Sequence, residues 1–247
     1  MICIKKTIND VFFIWYNLYI VGDAMKKVLR IVAILLILVM ITSLINLFSW
    51  YRENNKVKKI VSTVSEYLVI EDEVYRVEEE IKEVNEDIVG WLKVDNTKID
   101  YPVVKGEDNK FYLTHDLDKN KNSAGWIFMD YKNNLDDQNI VIYGHHRRDG
   151  SMFGSIDKLY KNGGKITLVV GDETRTYQIF SIYETTSNDY YSITNFDNID
   201  EAIEEFKDRS EIDFKQSDFS TKQIITLSTC TNDNKGRIVV HAYKKLT

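Results

Sequence analysis

The chain has 247 residues, of which 44% are hydrophobic and 12% aromatic, which is enough for one folded domain with a core and for further segments. Its charge is divided unevenly, with +3 on residues 1–48 and −9 on residues 49–247. This acidic body argues against nucleic acid as a partner, because binding to phosphate requires a basic face.

An uncharged apolar run covers residues 31–48, with three basic side chains before it and Trp50 and Tyr51 after it. Its length is close to the roughly 20 residues that span a bilayer, and the aromatic residues suit the interface. A cleavable signal peptide is the alternative, but no A-x-A-like cleavage site follows the run. We therefore predict a signal anchor over residues 25–52, which crosses the cell membrane once through residues 31–48 and leaves the folded domain outside the cell.

Residues 1–24 form a doubtful N-terminal extension. Their apolar stretch, Val11–Val21, is too short to span a membrane. Met25 and the two lysines after it have the composition of the start of a signal anchor. Two interpretations stay open: an upstream extension assigned in error, or a genuine segment that lies at the membrane interface.

Apolar residues recur at helical spacing in the region that follows the anchor. Within residues 54–92 they form two successive series with spacings of three and four residues, and most of the positions between them are charged. The members of this series are Val57, Ile60, Val61, Val64, Leu68, Val74, Val77, Ile81, Val84 and Ile88. The pattern predicts a helical region over residues 53–89 that packs on the following domain, with coiled-coil pairing as the alternative.

After Gly90 the pattern changes to short β-type runs separated by turn signals. The predicted strands are Ile99–Val104, Gly125–Met129, Asn139–Tyr143, Lys165–Val170, Thr174–Tyr183, Gln223–Thr229 and Arg237–Tyr243. A helix is predicted over Ile199–Arg209, with Asp197 or Asn198 as its cap. Many short strands with one or two helices indicate a mainly β fold, a closed or nearly closed barrel of about seven or eight strands over residues 90–247.

The two cysteines lie on opposite sides of the predicted anchor. Cys3 precedes it and Cys230 follows it, so they cannot pair across the bilayer. Oxidising compartments favour paired thiols. A lone thiol in an extracellular domain is therefore a candidate reactive group.

Three polar side chains come at the ends of predicted strands. Cys230 closes one strand, Arg237 opens the next, and His145 follows Asn139–Tyr143. If the strands are neighbours, these side chains share one rim, and a cysteine with a histidine and an arginine suits acyl transfer. No cluster of cysteine or carboxylate at ligand spacing accompanies the histidines, so we predict no metal site and no cofactor.

These residues resemble the signatures of the sortase family of cysteine transpeptidases. The resemblance rests on Tyr-Gly-His at 143–145, Thr-Leu-Ser-Thr-Cys at 226–230 and Arg237. Gly-Trp-Leu-Lys-Val at 90–94 and Gly-Trp-Ile-Phe-Met-Asp-Tyr at 125–131 belong to it as well. It covers residues 86–245. The N-terminal helices and the helix inserted before the cysteine strand are most like class B, and the absence of an Asp-Pro-aromatic lid motif argues against the pilin-polymerising class.

The resemblance implies a barrel of the sortase type and a defined reaction. Cys230 is the nucleophile that attacks the threonine carbonyl of a C-terminal sorting motif, of the Asn-Pro-x-Thr or LPxTG type, in a secreted protein. His145 is the acid/base, and Arg237 holds the carbonyls and the developing oxyanion. The thioester then passes to a peptidoglycan amine, which anchors the secreted protein to the cell wall.

Substrate-recognition candidates follow partly from strand position and partly from the resemblance. Ser228 shares its strand face with the nucleophile and is a candidate for contacting substrate. An ordinary polar strand residue without such a role is an equally good interpretation. The resemblance adds further groove residues, which are Asn109, Leu113, Thr186, Tyr190, Tyr191 and Ile193. The tyrosines are equally compatible with a packing role.

Two alternative functions use the same sequence. A cysteine peptidase would release the same thioester to water, which the sequence alone does not separate from transfer. A membrane-tethered binding domain with a degenerate site is the second, and the intact cysteine, histidine and arginine argue against it.

Overall fold

The computed structural model describes residues 2–71, 74–186, 189–214, 222–231 and 235–245. It divides into two compact units, Met1–Arg52 and Glu53–Thr247. A helical stretch at Gly22–Tyr67 is long and apolar enough to cross a membrane, judged by length and composition. Side chains of residues 25–51 along it are exposed, which is consistent with an apolar solvent around this stretch.

Among the described residues, the helices are α1 Ile2–Val64, α2 Ile81–Val84, α3 Leu159–Asn162 and α4 Ile199–Asp208. Short 3-10 turns occur at Ser65–Tyr67, Phe111–Leu113, Ile156–Lys158 and Tyr190–Ser192. The strands are β1 Leu68–Glu71, β2 Val74–Val77, β3 Ile88–Val94, β4 Asp100–Val104, β5 Phe128–Met129, β6 Asn139–Tyr143, β7 Lys165–Val170, β8 Glu173–Thr185, β9 Ile224–Cys230 and β10 Arg237–Lys244.

Strands β3 to β10 close into a barrel in the order β10-β8-β7-β3-β4-β5-β6-β9. This confirms the predicted mainly β fold with a closed barrel of eight strands. Closure removes sheet edges, which is one way for many short strands to form a stable domain. Strands β1 and β2 form a separate antiparallel hairpin, and the Val77 N–H donates to Gly171 O at 2.9 Å in the turn between β7 and β8.

Alternation along β9 and β10 divides their side chains between two faces. Ile225, Leu227 and Val240 belong to the large core that the barrel strands share. Ile224 and Val239, at the alternate positions, pack instead with α4 and its neighbours in a second apolar cluster, here the α4 cluster. By the same alternation, positions 226, 228 and 230 of β9 lie on the face that carries the α4 cluster.

Helix α4 confirms the helix that the sequence predicted at Ile199–Arg209. Asn198 caps it, and its side chain accepts a hydrogen bond from the Asp200 N–H at 3.1 Å. The helix buries Ile199, Ile203 and Phe206 in the α4 cluster. Burying such a side chain stabilises a fold by about 1.5–3 kcal/mol, so this insertion is well fixed on the barrel.

The helical prediction for residues 54–92 is correct for α1 and wrong beyond it. Val57, Ile60 and Val64 are buried along the last turns of α1. The chain then forms β1, β2, the single turn of α2, and β3. Val77 and Ile81 are buried, but they belong to two different short elements. Their spacing of four residues resembles that of a helix, although each is buried by contacts of its own element.

One predicted strand, Gly125–Met129, is reduced to Phe128–Met129. The reason lies in Gly125, which has a φ of +58°, and in the Trp126 N–H, which donates to Tyr112 O at 2.8 Å. These residues therefore pack as a loop against the Phe111–Leu113 turn. Strands β6 and β7 have the predicted bounds, and the remaining predicted strands differ by one or two residues at one or both ends.

Candidate active site

The end of β9 and the start of β10 bring Cys230 and Arg237 into contact. The antiparallel register pairs these two residues directly. Arg237 Nη1 donates to Cys230 Sγ at 3.3 Å and to Gly236 O at 3.1 Å. Cys230 is partly exposed, so a permanent cation touches a sulfur that solvent can reach. The guanidinium is placed to balance negative charge that develops in a reaction at this sulfur.

His145 lies at the same end of the neighbouring strand. β6 runs parallel to β9, and Tyr143 pairs with Ser228, so His145 and Cys230 each come two residues beyond that pair. His145 Nε2 lies 2.7 Å from Leu113 O. A carbonyl oxygen only accepts, so Nε2 carries the proton in this hydrogen bond and Nδ1 is left as the acceptor nitrogen of the neutral ring.

Gly125 fixes the loop that packs on the His145 ring. A Cβ at this position would lie 2.6 Å from Tyr112 O and 3.0 Å from His145 Cδ2. With a φ of +58° as well, the backbone here favours glycine for both conformational and steric reasons. In the sequence Gly125 is only the first residue of the motif at 125–131, and its contact with His145 is seen only in the structure.

His146 has a different setting from the histidine beside it. Its Nε2 lies 3.1 Å from Asp157 Oδ2, and only 7% of its side chain is exposed. His146 also forms an isolated β-bridge with Met152. These contacts tie together the two ends of the loop that follows β6, which is a structural role.

Ser228 and Tyr191 lie on one side of the thiol, and Ile193 follows two residues after Tyr191. Ser228 is buried, and its hydroxyl donates to Tyr191 Oη at 3.1 Å. Burial raises the pKa of Tyr191, while this hydrogen bond and the charge of Arg237 oppose the rise. The Tyr191 phenol is therefore a neutral group that senses the same cation as the thiol. Ile193 has 43% of its surface exposed.

Tyr190 and Thr186 are placed differently from Tyr191. The Tyr190 ring stacks on Phe206 of α4, with centroids 5.5 Å apart, which supports the packing alternative for this tyrosine. Thr186 is exposed directly after β8. Its neighbour Thr185 pairs with Arg237 in the β8–β10 register, so Thr186 lies at the same rim as the cysteine.

Asn109 belongs to a second polar group that centres on Asp130. The Asn109 amide donates to Asp130 Oδ2 at 2.8 Å, and the Tyr143 hydroxyl donates to the same oxygen at 3.0 Å. Burial and the charge of Asp130 raise the pKa of Tyr143, which keeps the phenol a donor. Leu113, whose carbonyl binds His145, leaves 37% of its own surface exposed.

The sequence reasoning missed two groups that organise this site. Asp130 is a carboxylate directly after an apolar strand, which is a sequence signal for a polar site. The ion pair of Arg209 with Asp189 joins residues 20 positions apart and has no spacing signal in the sequence.

A thiol and a guanidinium in contact at the rim of a closed barrel, with a histidine at the same strand end, define a cysteine acyltransferase. Comparison with known proteins agrees with this class. The family model of the Sortase domain matches residues 92–245, and the chain belongs to the sortase family.

The similar proteins are sortases of class B. Sortase B of Listeria monocytogenes serovar 1/2a is 35% identical over 178 residues, which cover 65% of this chain and 71% of that protein. Sortase B of Staphylococcus aureus is 30% identical over 236 residues, or 88% of this chain and 97% of that protein. The X-ray structure of Clostridium perfringens sortase B is 37% identical and superposes with a TM-score of 0.62, covering 67% of this chain and 97% of that one. The chain is thus a cysteine transpeptidase of the sortase B type, a family that attaches proteins to the cell wall.

Proposed function

We propose that Cys230 is the nucleophile of this transpeptidase, with Arg237 as the oxyanion-stabilising cation and His145 as the acid/base. The observation that carries the proposal is the 3.3 Å contact between Arg237 Nη1 and Cys230 Sγ at paired strand positions. Strand pairing fixes both backbones, so the donor and the sulfur are preorganised before substrate binds.

The hydrogen bond of His145 assigns the nitrogens different tasks. Nε2 donates to Leu113 O, which holds the ring and fixes its tautomer. Nδ1 is then the nitrogen that takes the thiol proton and later delivers it to the leaving amine. Leu113 therefore supports catalysis through its carbonyl, in addition to the groove role proposed for its side chain.

The reaction proceeds in two balanced steps. The Cys230 sulfur attacks the threonine carbonyl of the sorting motif, the peptide bond after threonine breaks, and the downstream segment leaves as an amine with the proton from His145. The resulting thioester is attacked by an amine of a peptidoglycan precursor, which forms an amide bond and returns the thiol. Arg237 binds the oxyanion in both steps.

The groove for the sorting motif lies between the Ser228–Tyr191 pair and the polar group that centres on Asp130. Ser228 and Tyr191, with Ile193, line the side next to the thiol, and Asn109 with Leu113 lines the side next to His145. Thr186 and Tyr190 complete the set, with Tyr190 acting mainly through packing on Phe206. We propose secreted proteins with a C-terminal sorting signal as the substrates.

Product analysis tests this function. The full-length chain in detergent micelles is incubated with peptides of the Asn-Pro-x-Thr and LPxTG types, with and without added amines, and the products are identified by mass spectrometry. We expect cleavage after threonine and, with a suitable amine, a new amide at that residue. Only free carboxylic acid at every amine concentration would contradict transfer.

We also propose that the chain is a single-pass protein of the cell membrane, with its catalytic domain outside the cell. The apolar stretch within Gly22–Tyr67 supports this location. Full-length protein is expected in the membrane fraction, and a truncated chain that starts at Tyr51 is expected to be soluble and active. Recovery of an active enzyme from the medium, cleaved after residue 48, would contradict an uncleaved anchor.

A further inference from the structure

A fully buried histidine lies on the face of the barrel that carries the site. His241 of β10 pairs with Thr226 of β9, and its ring stacks on Phe206 with centroids 3.9 Å apart. Burial and the nearby charge of Arg209 lower the pKa of His241 to about 3. The imidazole is therefore neutral at ordinary pH, with one N–H donor and one acceptor nitrogen.

The hydrogen bonds around His241 have one consistent direction. Asn139 donates its amide to Tyr191 O at 3.0 Å and Ile193 O at 2.8 Å, so its Oδ1 is the acceptor for Thr226 Oγ1 at 2.6 Å. Because the Thr226 hydroxyl donates its one proton to Asn139, it must accept a hydrogen bond from His241 Nδ1 at 2.8 Å.

The remaining nitrogen of the ring completes the series. With its proton on Nδ1, His241 accepts at Nε2 from the Tyr183 hydroxyl, 3.0 Å away. The four side chains, called here the buried polar chain, are Tyr183, His241, Thr226 and Asn139. Each member donates to the next, and such aligned series strengthen one another in a low-dielectric interior.

The buried polar chain ends at Asn139, which holds the segment 189–193 through the carbonyls of Tyr191 and Ile193. Asp189, at the other end of this segment, is held by Arg209. Arg209 stacks over the Tyr183 ring at 4.3 Å and forms an ion pair with Asp189. The Asp189 carboxylate accepts from the Tyr190 N–H at 2.8 Å, and Arg209 also donates to Thr185 Oγ1 at 3.0 Å. Tyr183 thus contacts Arg209, which holds Asp189 at one end of the segment, and His241, which is linked through Thr226 to Asn139 at the other end.

We propose that the buried polar chain is a positioning device that holds the segment 189–193 against the substrate groove. The segment presents Tyr191 to Ser228 and leaves Ile193 exposed, so a shift of its backbone changes the groove and leaves the thiol contact with Arg237 in place. The four residues act through the segment and touch no reacting atom. This inference rests on the proposed function, because it assumes that the sorting peptide binds in that groove.

The test compares two identical substitutions on the same strand, β8. Tyr183→Phe removes one hydroxyl from the buried polar chain. Tyr177→Phe removes the hydroxyl of a similarly buried tyrosine, which binds Gln223 Oε1 at 3.0 Å and lies outside the buried polar chain. Thr226→Val is a second variant within the buried polar chain. In the full-length enzyme we expect Tyr183→Phe and Thr226→Val to raise KM for an Asn-Pro-x-Thr peptide about fivefold to tenfold, as for the loss of one buried hydrogen bond.

We expect Tyr177→Phe to stay within about twofold of the wild-type KM, and alkylation of Cys230 by iodoacetamide, followed by mass spectrometry, to be unchanged in all variants. Hydrogen exchange of the segment 189–193 should accelerate only in the chain variants. Equal effects of Tyr183→Phe and Tyr177→Phe on KM and on this exchange would overturn the inference. Failure of the wild-type enzyme to cleave the peptide would instead contradict the proposed function, and the exchange comparison would still decide whether the chain positions the segment.

Discussion

Replacing Cys230 with alanine is expected to abolish cleavage of a sorting peptide and to leave the barrel folded. No other side chain at this rim carries a thiol among the described residues, so the thioester cannot form. Cys230 lies partly exposed at a strand end, and its truncation should therefore cost little stability. Peptide cleavage, acyl-enzyme detection by mass spectrometry and thermal unfolding measure the three outcomes.

His145→Ala should lower kcat/KM by at least about 10²-fold, which is the contribution typical of a positioned acid or base. His146→Ala is the matched control, since it removes the adjacent imidazole ring, whose side-chain hydrogen bond is to Asp157. We expect some loss of stability, because only 7% of the His146 side chain is exposed, but the partner Asp157 is 46% exposed and stays solvated. Activity should stay within a few-fold. Similar losses of activity at both histidines would mean that the acid/base assignment is wrong.

Short apolar strands between turn signals were predictable from the sequence, and elements defined by contacts with distant residues were not. Asn139–Tyr143 and Lys165–Val170 have the predicted bounds, because an apolar run between turn signals leaves few alternatives. The region after Val64 was assigned to a helix, since buried residues from several short elements happened to lie three or four positions apart. Its real pairing, such as Val77 with Gly171, depends on contacts far away in sequence.

The same division applies to the site. Cys230 and Arg237 were placed at one rim from strand ends alone, and the structure shows their contact. The contacts that hold His145 and the segment 189–193 were not predictable, because Leu113 binds His145 through a backbone carbonyl and Arg209 binds Asp189 in a long-range ion pair. Side-chain identity points to reacting groups, whereas the atoms that hold them in place depend on the fold.

Replacing Arg237 with lysine is expected to lower kcat/KM for the sorting peptide by at least about 10²-fold, the loss typical of one missing oxyanion donor. Arginine keeps a planar fork of donors, and in the resting structure Nη1 already binds both Cys230 Sγ and Gly236 O. Lysine keeps the charge, but its ammonium is a compact point charge on a flexible stem and cannot hold carbonyl groups at fixed angles.

Two comparisons make the lysine variant informative. Cys230 should still react with a small alkylating agent, because alkylation develops no carbonyl oxyanion. Arg76→Lys is the matched control: Arg76 is exposed and lies 3.8 Å from Asp172, and the exchange there should leave kcat/KM within about twofold, as an exposed ion pair contributes little. If Arg237→Lys retained activity within a few-fold of wild type, the guanidinium geometry would be irrelevant to the transition state. Arg237 would then act only as a positive charge beside the thiol or as a structural residue of the β9–β10 pair.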